Sequence, residues 1–282
     1  DYPAYVAFKE FVERETQGGI EVLLYPNAQL GSEREATEQV KFGALEMTSG
    51  GGDIQGYVPQ VGLFYLPFLY PTDECFVAAW DIERSPVARR VADLVLSGTQ
   101  SIRALTFMPA GGTRNVILRD RPVRNLKDFA GVKIRVDTAP TSFKTMQMLG
   151  AAPVPMAFPE VYNALQTGVI DAAENLFTTM ISQKWAEVSK YVTLTHHNRV
   201  LHVCMINEQF FQSLPAEYQE ILRQAAKVLA REYHDPVLAA TEAARKHLEG
   251  MGIQFLEIED RAAWMEAAAP LQNEWAAANG FE

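Results

Sequence analysis

Arg135 lies in the run Lys133-Ile134-Arg135-Val136, whose alternation reads as a β-strand with Ile134 and Val136 on one face and Lys133 and Arg135 on the other. A guanidinium at the end of a buried strand needs an anionic partner, because an unpaired buried charge is too costly to keep. Two readings follow. Either the arginine covers a sheet face and bridges a surface carboxylate, or it offers two parallel N–H donors to a ligand carboxylate, a geometry lysine cannot reproduce. Arg114 sits in Gly111-Gly112-Thr113-Arg114-Asn115, between the strand-like runs Arg103–Met108 and Val116–Leu118. Glycines there permit a backbone crossing close to a ligand, so Arg114 is either a second arm of the same anion site or a turn arginine. A further strand-like run ends in Glu174-Asn175. The Asn175 amide can donate and accept, which suits a hydroxyl-bearing acid, or it caps a loop.

Other chemistries find less support. Asp171 and Glu174 with His196-His197 suggest a metal site, but adjacent histidines on a strand face opposite ways, and no zinc-enzyme His–Glu spacing occurs. No nucleophile elbow, phosphate loop or dinucleotide fingerprint is present, so neither a metal nor a cofactor is expected. A rival reading keeps Arg135 as the anchor of an enzyme's carboxylate substrate, with Glu174 or a histidine as general base. Phe158 and Tyr162 lie four apart on a short helix that begins near Pro159-Glu160. Such spacing marks core or ligand wall, and Phe158, beside the proline, is the one placed to reach a cleft.

The 282 residues suffice for two domains, and 48% apolar with 21% charged residues is an ordinary globular composition. A formal net charge of −10 argues against nucleic acid or an anionic membrane as partner. An acidic chain that binds an acid must do so with local arginines. No run approaches the roughly 18 to 20 apolar residues of a membrane span. Asp1-Tyr2-Pro3 leads straight into an amphipathic helix with no secretory signal, so the chain reads as processed or trimmed. Cys75 and Cys204 are too few for a disulfide framework; a bridge between them is conceivable, and Cys204 otherwise fits a core strand.

Helical and strand patterns alternate along the chain, which argues for α/β layers. Tyr5 to Thr16 reads as a helix, Ile20 to Tyr25 as a strand, and Ser32 with Glu35 as a capping box. An internal echo follows: Val40-Lys41-Phe42-Gly43-Ala44-Leu45 and Leu165-Gln166-Thr167-Gly168-Val169-Ile170 are each a helix end, a stop glycine and the entry to a strand. The first strand opens into Gly50-Gly51-Gly52-Asp53 and the second into Glu174-Asn175, and in open α/β sheets ligands bind at such C-terminal strand ends. Ala216 to Glu249 is the longest helical pattern, interrupted at Pro236; at about 50 Å it would span two domains. Ile253 to Ile258 follows as a strand and Asp260 to Ala278 as a closing helix.

Several ordered motifs carry a resemblance. Gly131-Val132-Lys133-Ile134-Arg135-Val136, Leu149-Gly150-Ala151, Pro153-Val154-Pro155-Met156, Ala164-Leu165-Gln166-Thr167-Gly168 and Asp171-Ala172-Ala173-Glu174-Asn175 resemble the signature of TRAP (tripartite ATP-independent periplasmic) transporter solute-binding proteins. Tyr25-Pro26-Asn27-Ala28-Gln29-Leu30-Gly31 and Asn207-Glu208-Gln209-Phe210-Phe211 fit the same family. The resemblance covers essentially the whole chain and is nearest to the sialic-acid and sugar-acid branch. It implies a two-lobed α/β fold of the periplasmic-binding-protein type (type II-like), with two mixed sheets flanked by helices and a long helix bridging the lobes. Residues 1–111 with 201–240 are expected in lobe I, and 112–200 with 241–282 in lobe II, with the ligand cleft between them.

The implied function is that of a periplasmic receptor, a monomer and not an enzyme, that closes around a small organic acid such as a sugar acid and hands it to a membrane permease. A sensor ectodomain of the same fold is the other alternative. The resemblance makes Arg135 the carboxylate grip, with Arg114, Glu174 and Asn175 beside it and Phe158 as an aromatic wall. Gly51 and Asp53 stand where sialic-acid binders carry larger polar residues, and the polar run Thr195 to Arg199, with Asn198 in it, reads either as selectivity contacts or as a hinge. Family members start with one more strand before the first helix, which is missing from this chain.

Overall fold

The computed structural model describes residues 2–280. Nine strands occur among them: β1 (Met47–Gly50), β2 (Ile102–Pro109), β3 (Arg114–Leu118), β4 (Lys133–Val136), β5 (Ala152–Pro155), β6 (Ala172–Asn175), β7 (Tyr191–Asn198), β8 (Leu201–Asn207) and β9 (Gln254–Glu257). The chain divides into two compact units. The first takes the chain up to Val61, then Thr72–Gly111 and Leu201–Leu238; the second takes Gly62–Pro71, Gly112–Val200 and the chain from Ala239.

Local signals explain where elements start and stop. Ser32 caps the helix Glu33–Phe42 in a reciprocal box: its hydroxyl accepts from the Glu35 N–H, and the Glu35 carboxylate accepts from the Ser32 N–H at 2.7 Å. That helix ends at Gly43 in the left-handed region (φ 74°), and Val161–Thr167 ends the same way at Gly168 (φ 76°). The internal echo is therefore two copies of one helix stop, leading to β1 and to β6.

In the first unit the sheet order is β1-β8-β2, and both pairings are antiparallel. In the second it is β5-β4-β6-β3-β7-β9, with β4 parallel to β5 and β6, β3 antiparallel to β6 and β7, and β7 parallel to β9. The expectation of two mixed sheets thus holds for the six-stranded sheet, whereas the three-stranded one is antiparallel. Two apolar layers bury the larger sheet: one centred on Ile117, Leu165, Ile170 and Trp185, the other on Leu118, Phe129, Ile134 and Trp264.

Two expectations need correction. Ile20 to Tyr25 forms no strand. The Val22 N–H donates to the Glu13 carboxylate (2.9 Å) and its carbonyl accepts from Lys9 Nζ (2.6 Å), so side chains of the first helix, Tyr2–Glu15, take the groups a ladder would use. The alternation survives only as an exposure pattern, with Leu23 60% and Tyr25 50% exposed. Segment Gly62–Pro71, placed in lobe I on sequence grounds, clusters with the second unit. There Leu63, Leu66 and Leu69 pack with Leu271 and Trp275 of the last helix, and Gln272 donates to the Pro67 carbonyl at 2.6 Å.

The helix Ala216–Gly250 runs continuously through Pro236, and the division between units falls within it, after Leu238. Gly111 meets this helix backbone to backbone: a Cβ there would lie 2.4 Å from Leu238 Cβ and 2.6 Å from Leu238 N. No described helix is long and apolar enough to cross a membrane. Cys75 and Cys204 are both free thiols; Cys75 is exposed, and burial pushes the Cys204 thiol up to about 12.

Gly111→Ala is expected to destabilise the protein by about 1–3 kcal/mol through overpacking, read from urea denaturation; an unchanged midpoint would mean that strand end and helix separate freely at this crossing. A thiol reagent is expected to modify Cys75 quickly in the native protein and Cys204 only after denaturation; equal rates would contradict the burial of Cys204.

Candidate functional site

Sheet order assembles the candidate residues of the second unit. β4, β6, β3 and β7 are successive neighbours, and the C-terminal ends of β4, β6 and β7 lie at the same sheet end as the start of β3. Register then does the rest: Asn115 faces Asn175, Val116 faces Glu174, and Arg114 faces Asn198. Arg135, Glu174, Asn175, Arg114 and Asn198 therefore share one sheet end.

Arg114 and Glu174 form a buried ion pair. Arg114 Nε donates to Glu174 Oε2, Nη2 donates to Oε1 at 2.5 Å, and Nη2 also reaches the Glu174 carbonyl at 3.2 Å. Both side chains are buried, 8% and 3% exposed, so the two charges meet in a low-dielectric setting where each is the other's condition for being ionised. His197 Nε2 lies 3.4 Å from Glu174 Oε2, and its Nδ1 is 2.8 Å from the Thr195 hydroxyl. This arrangement suits an Nε2–H imidazole that donates to Glu174 and accepts from Thr195. Burial alone would raise the Glu174 pKa, but Arg114, then His197, overcomes it and lowers the carboxyl from its ordinary 4.5 to about 2. Burial likewise opposes the Arg114 charge, and Glu174 outweighs it, holding the guanidinium above its ordinary range. Of the Arg114 nitrogens, only Nη1 has no partner among the described residues.

Arg135 is held differently. It is buried at 4% exposure although Lys133, two residues back on the same strand, is exposed. Its Nε donates to the Met156 carbonyl (3.0 Å), and its guanidinium carbon lies 5.6 Å from the centre of the Phe158 ring, a cation–π distance. Phe158 opens the 3₁₀ turn Phe158–Glu160 and packs against Trp185 with ring centroids 5.6 Å apart. Neither Trp185 nor the Met156 carbonyl is singled out by the sequence pattern. A lone tryptophan among Gln183, Lys184 and Glu187 shows no periodic signal, and a backbone acceptor shows none at all.

Asn175 is buried; its Oδ1 accepts from the Leu176 N–H at 2.9 Å, which is the loop-capping role, while its Nδ2 donor has no partner among the described residues. Asn198 behaves alike, its Oδ1 accepting from Arg199 N at 2.7 Å. Between Arg114 and Val116 the β3–β7 register shifts, and His196 adopts φ 44°. Its Nδ1 meets the Thr113 hydroxyl at 2.6 Å, and burial, then Arg261, lowers its pKa below the ordinary 6.5. Gly51 and Asp53 belong to the first unit, where Gly51 is buried after β1 and Asp53 begins the 3₁₀ turn Asp53–Gly56. No group of three or more His, Cys, Asp or Glu that could hold a metal ion occurs among the described residues.

Glu174→Gln leaves the buried Arg114 without its counter-charge and is expected to cost about 3–5 kcal/mol at neutral pH. Because the folded-state pKa of Glu174 lies below its unfolded value, its contribution is complete above about 4.5 and is lost as pH falls towards about 2. Denaturation midpoints across that window should fall more steeply for the native chain than for the variant; parallel profiles would show that the pair does not carry this stability.

The chain matches the family described as DctP, bacterial extracellular solute-binding protein, family 7, over residues 2–279. It is 32% identical over 286 residues to the C4-dicarboxylate-binding periplasmic protein DctP of Rhodobacter capsulatus, covering 98% of this chain and 82% of that protein. Among solved structures, a TRAP periplasmic solute-binding protein of Roseobacter denitrificans with bound L-galactonate is similar at TM-score 0.88 and 30% identity, covering 98% of this chain and 88% of the other. One from Anaerococcus prevotii with bound D-glucuronate is similar at TM-score 0.92 and 28% identity, covering 99% and 89%. With the match running nearly end to end, the chain belongs to the DctP family of bacterial extracellular solute-binding proteins, the solute receptors of TRAP transporters.

Proposed function

We propose that this chain is the periplasmic receptor of a TRAP transporter and that its solute is a hydroxylated monocarboxylate, a sugar acid, delivered to a membrane permease. Resemblance alone does not choose the acid, since both a C4-dicarboxylate binder and galactonate- and glucuronate-bound proteins are similar to it. The observation that supports a monocarboxylate is the Arg114–Glu174 pair. Its carboxylate neutralises Arg114, so the site's second guanidinium is already matched and the ligand carboxylate is assigned to Arg135. A second ligand carboxylate beside Glu174 would be desolvated next to a like charge, which is unfavourable.

Arg135 meets the ligand through its planar guanidinium, whose Nε donates to the Met156 carbonyl. Phe158 lies under the guanidinium and packs on the ligand body. Asn175 and Asn198, with their oxygens engaged, present Nδ2 donors to ligand hydroxyls. Gly51 and Asp53 are proposed as further contacts on sequence grounds.

Calorimetry with L-galactonate, D-glucuronate and D-galacturonate, against succinate and malate, tests this reading. A sugar acid is expected to bind and to be recovered unchanged. Arg135→Ala should weaken it by about 30-fold to several thousand-fold, the usual loss when one partner of a buried charge pair is removed. Arg135→Lys should recover little of that loss. Tighter binding of succinate or malate would overturn the monocarboxylate assignment, and an Arg135→Ala variant with native affinity would overturn the grip.

A further inference from the structure

The indole of Trp185 is fully buried, and its Nε1 is a donor with no partner among the described residues. An interior donor left unpaired is unfavourable, and phenylalanine or leucine at this place would avoid it. What the indole supplies in return is ring area. Its centroid lies 5.6 Å from that of Phe158 at an interplanar angle of 59°, within the range of favourable aromatic pairs. Phe158 in turn lies 5.6 Å below the Arg135 guanidinium, so Trp185, Phe158 and Arg135 are stacked in that order.

Phe158 is only part-buried and begins a 3₁₀ turn of three residues, Phe158–Glu160. A turn that short leaves the ring's rotamer to its packing partners. Trp185 lies in the apolar layer against which Phe158 and Met156 pack, and Met156 is the residue whose carbonyl accepts from Arg135 Nε. Two restraints on the guanidinium, the ring beneath it and the carbonyl at its Nε edge, therefore lean on the layer that Trp185 fills.

We propose that Trp185 is a positioning residue for ligand affinity: through Phe158 it sets the plane of the Arg135 guanidinium and so the approach of the carboxylate. The inference rests on Arg135 as the carboxylate grip. A planar two-point contact loses strength when the plane tilts, so Trp185 influences affinity without touching the ligand.

The test uses the tightest-binding of the three sugar acids named above, with affinities read well below the melting temperature of every variant. Trp185→Leu is expected to weaken binding about three- to tenfold, the worth of one aromatic pair. Trp185→Phe, which keeps a ring and removes the orphan donor, should restore most of that affinity. In a Phe158→Leu background, Trp185→Leu should cause no further loss. Unchanged affinity in Trp185→Leu despite a lower melting temperature would make the residue purely structural and overturn the proposal, as would losses from Phe158→Leu and Trp185→Leu that simply add. Native affinity in Arg135→Ala would instead refute the grip itself, independently of Trp185.

Discussion

A guanidinium and a carboxylate enclosed together, Arg114 and Glu174, set the terms for the rest of the second unit. Neither charge is tolerable there alone, so the first residue of β3 must stay beside the end of β6. His197 extends the same requirement to β7, with Thr195 fixing its ring. Three strands are thus tied at one sheet end by electrostatics as well as by ladder hydrogen bonds. Arg135 occupies the next strand and inherits a fixed neighbourhood. Because the pair is internally neutral, it lends rigidity to the site without adding to its appetite for anions.

Much of the local architecture is legible from the residues. Ser32 and Glu35 announce their own helix start, and Gly43 and Gly168 mark helix stops because a left-handed residue is needed there. Strand alternation correctly separates Ile134 and Val136 from Arg135. Ile20 to Tyr25 shows the limit of such reasoning: its alternation is as clear, yet a strand exists only where a partner offers a ladder, and Lys9 and Glu13 take the groups of Val22 instead. Arg114 shows the same limit at the site. Its residue type fits an anion arm, but only the register of β3 on β6 reveals that a carboxylate of the chain already fills that role. The contact of Trp185 with Phe158 joins segments separated in the chain and leaves no trace in either.

Aromatic and ionic elements divide the work of the proposed site. The ion pair constrains strands, while the stack of rings constrains one side chain whose direction matters. The protein as a whole carries a formal charge of −10, so an incoming acid meets a repulsive field until it is within reach of a local guanidinium. Recognition of an anion by such a chain has to be short-ranged and geometric.

The row Ile20 to Tyr25 carries a consequence for the protein's behaviour in bulk solution. Leu23 and Tyr25 stand exposed there, but the N–H and carbonyl of Val22 between them and the first helix are already held by Glu13 and Lys9. An incoming strand would have to displace both charged side chains before it could pair, so the two helix residues blunt this row as charged residues blunt the edge of a sheet.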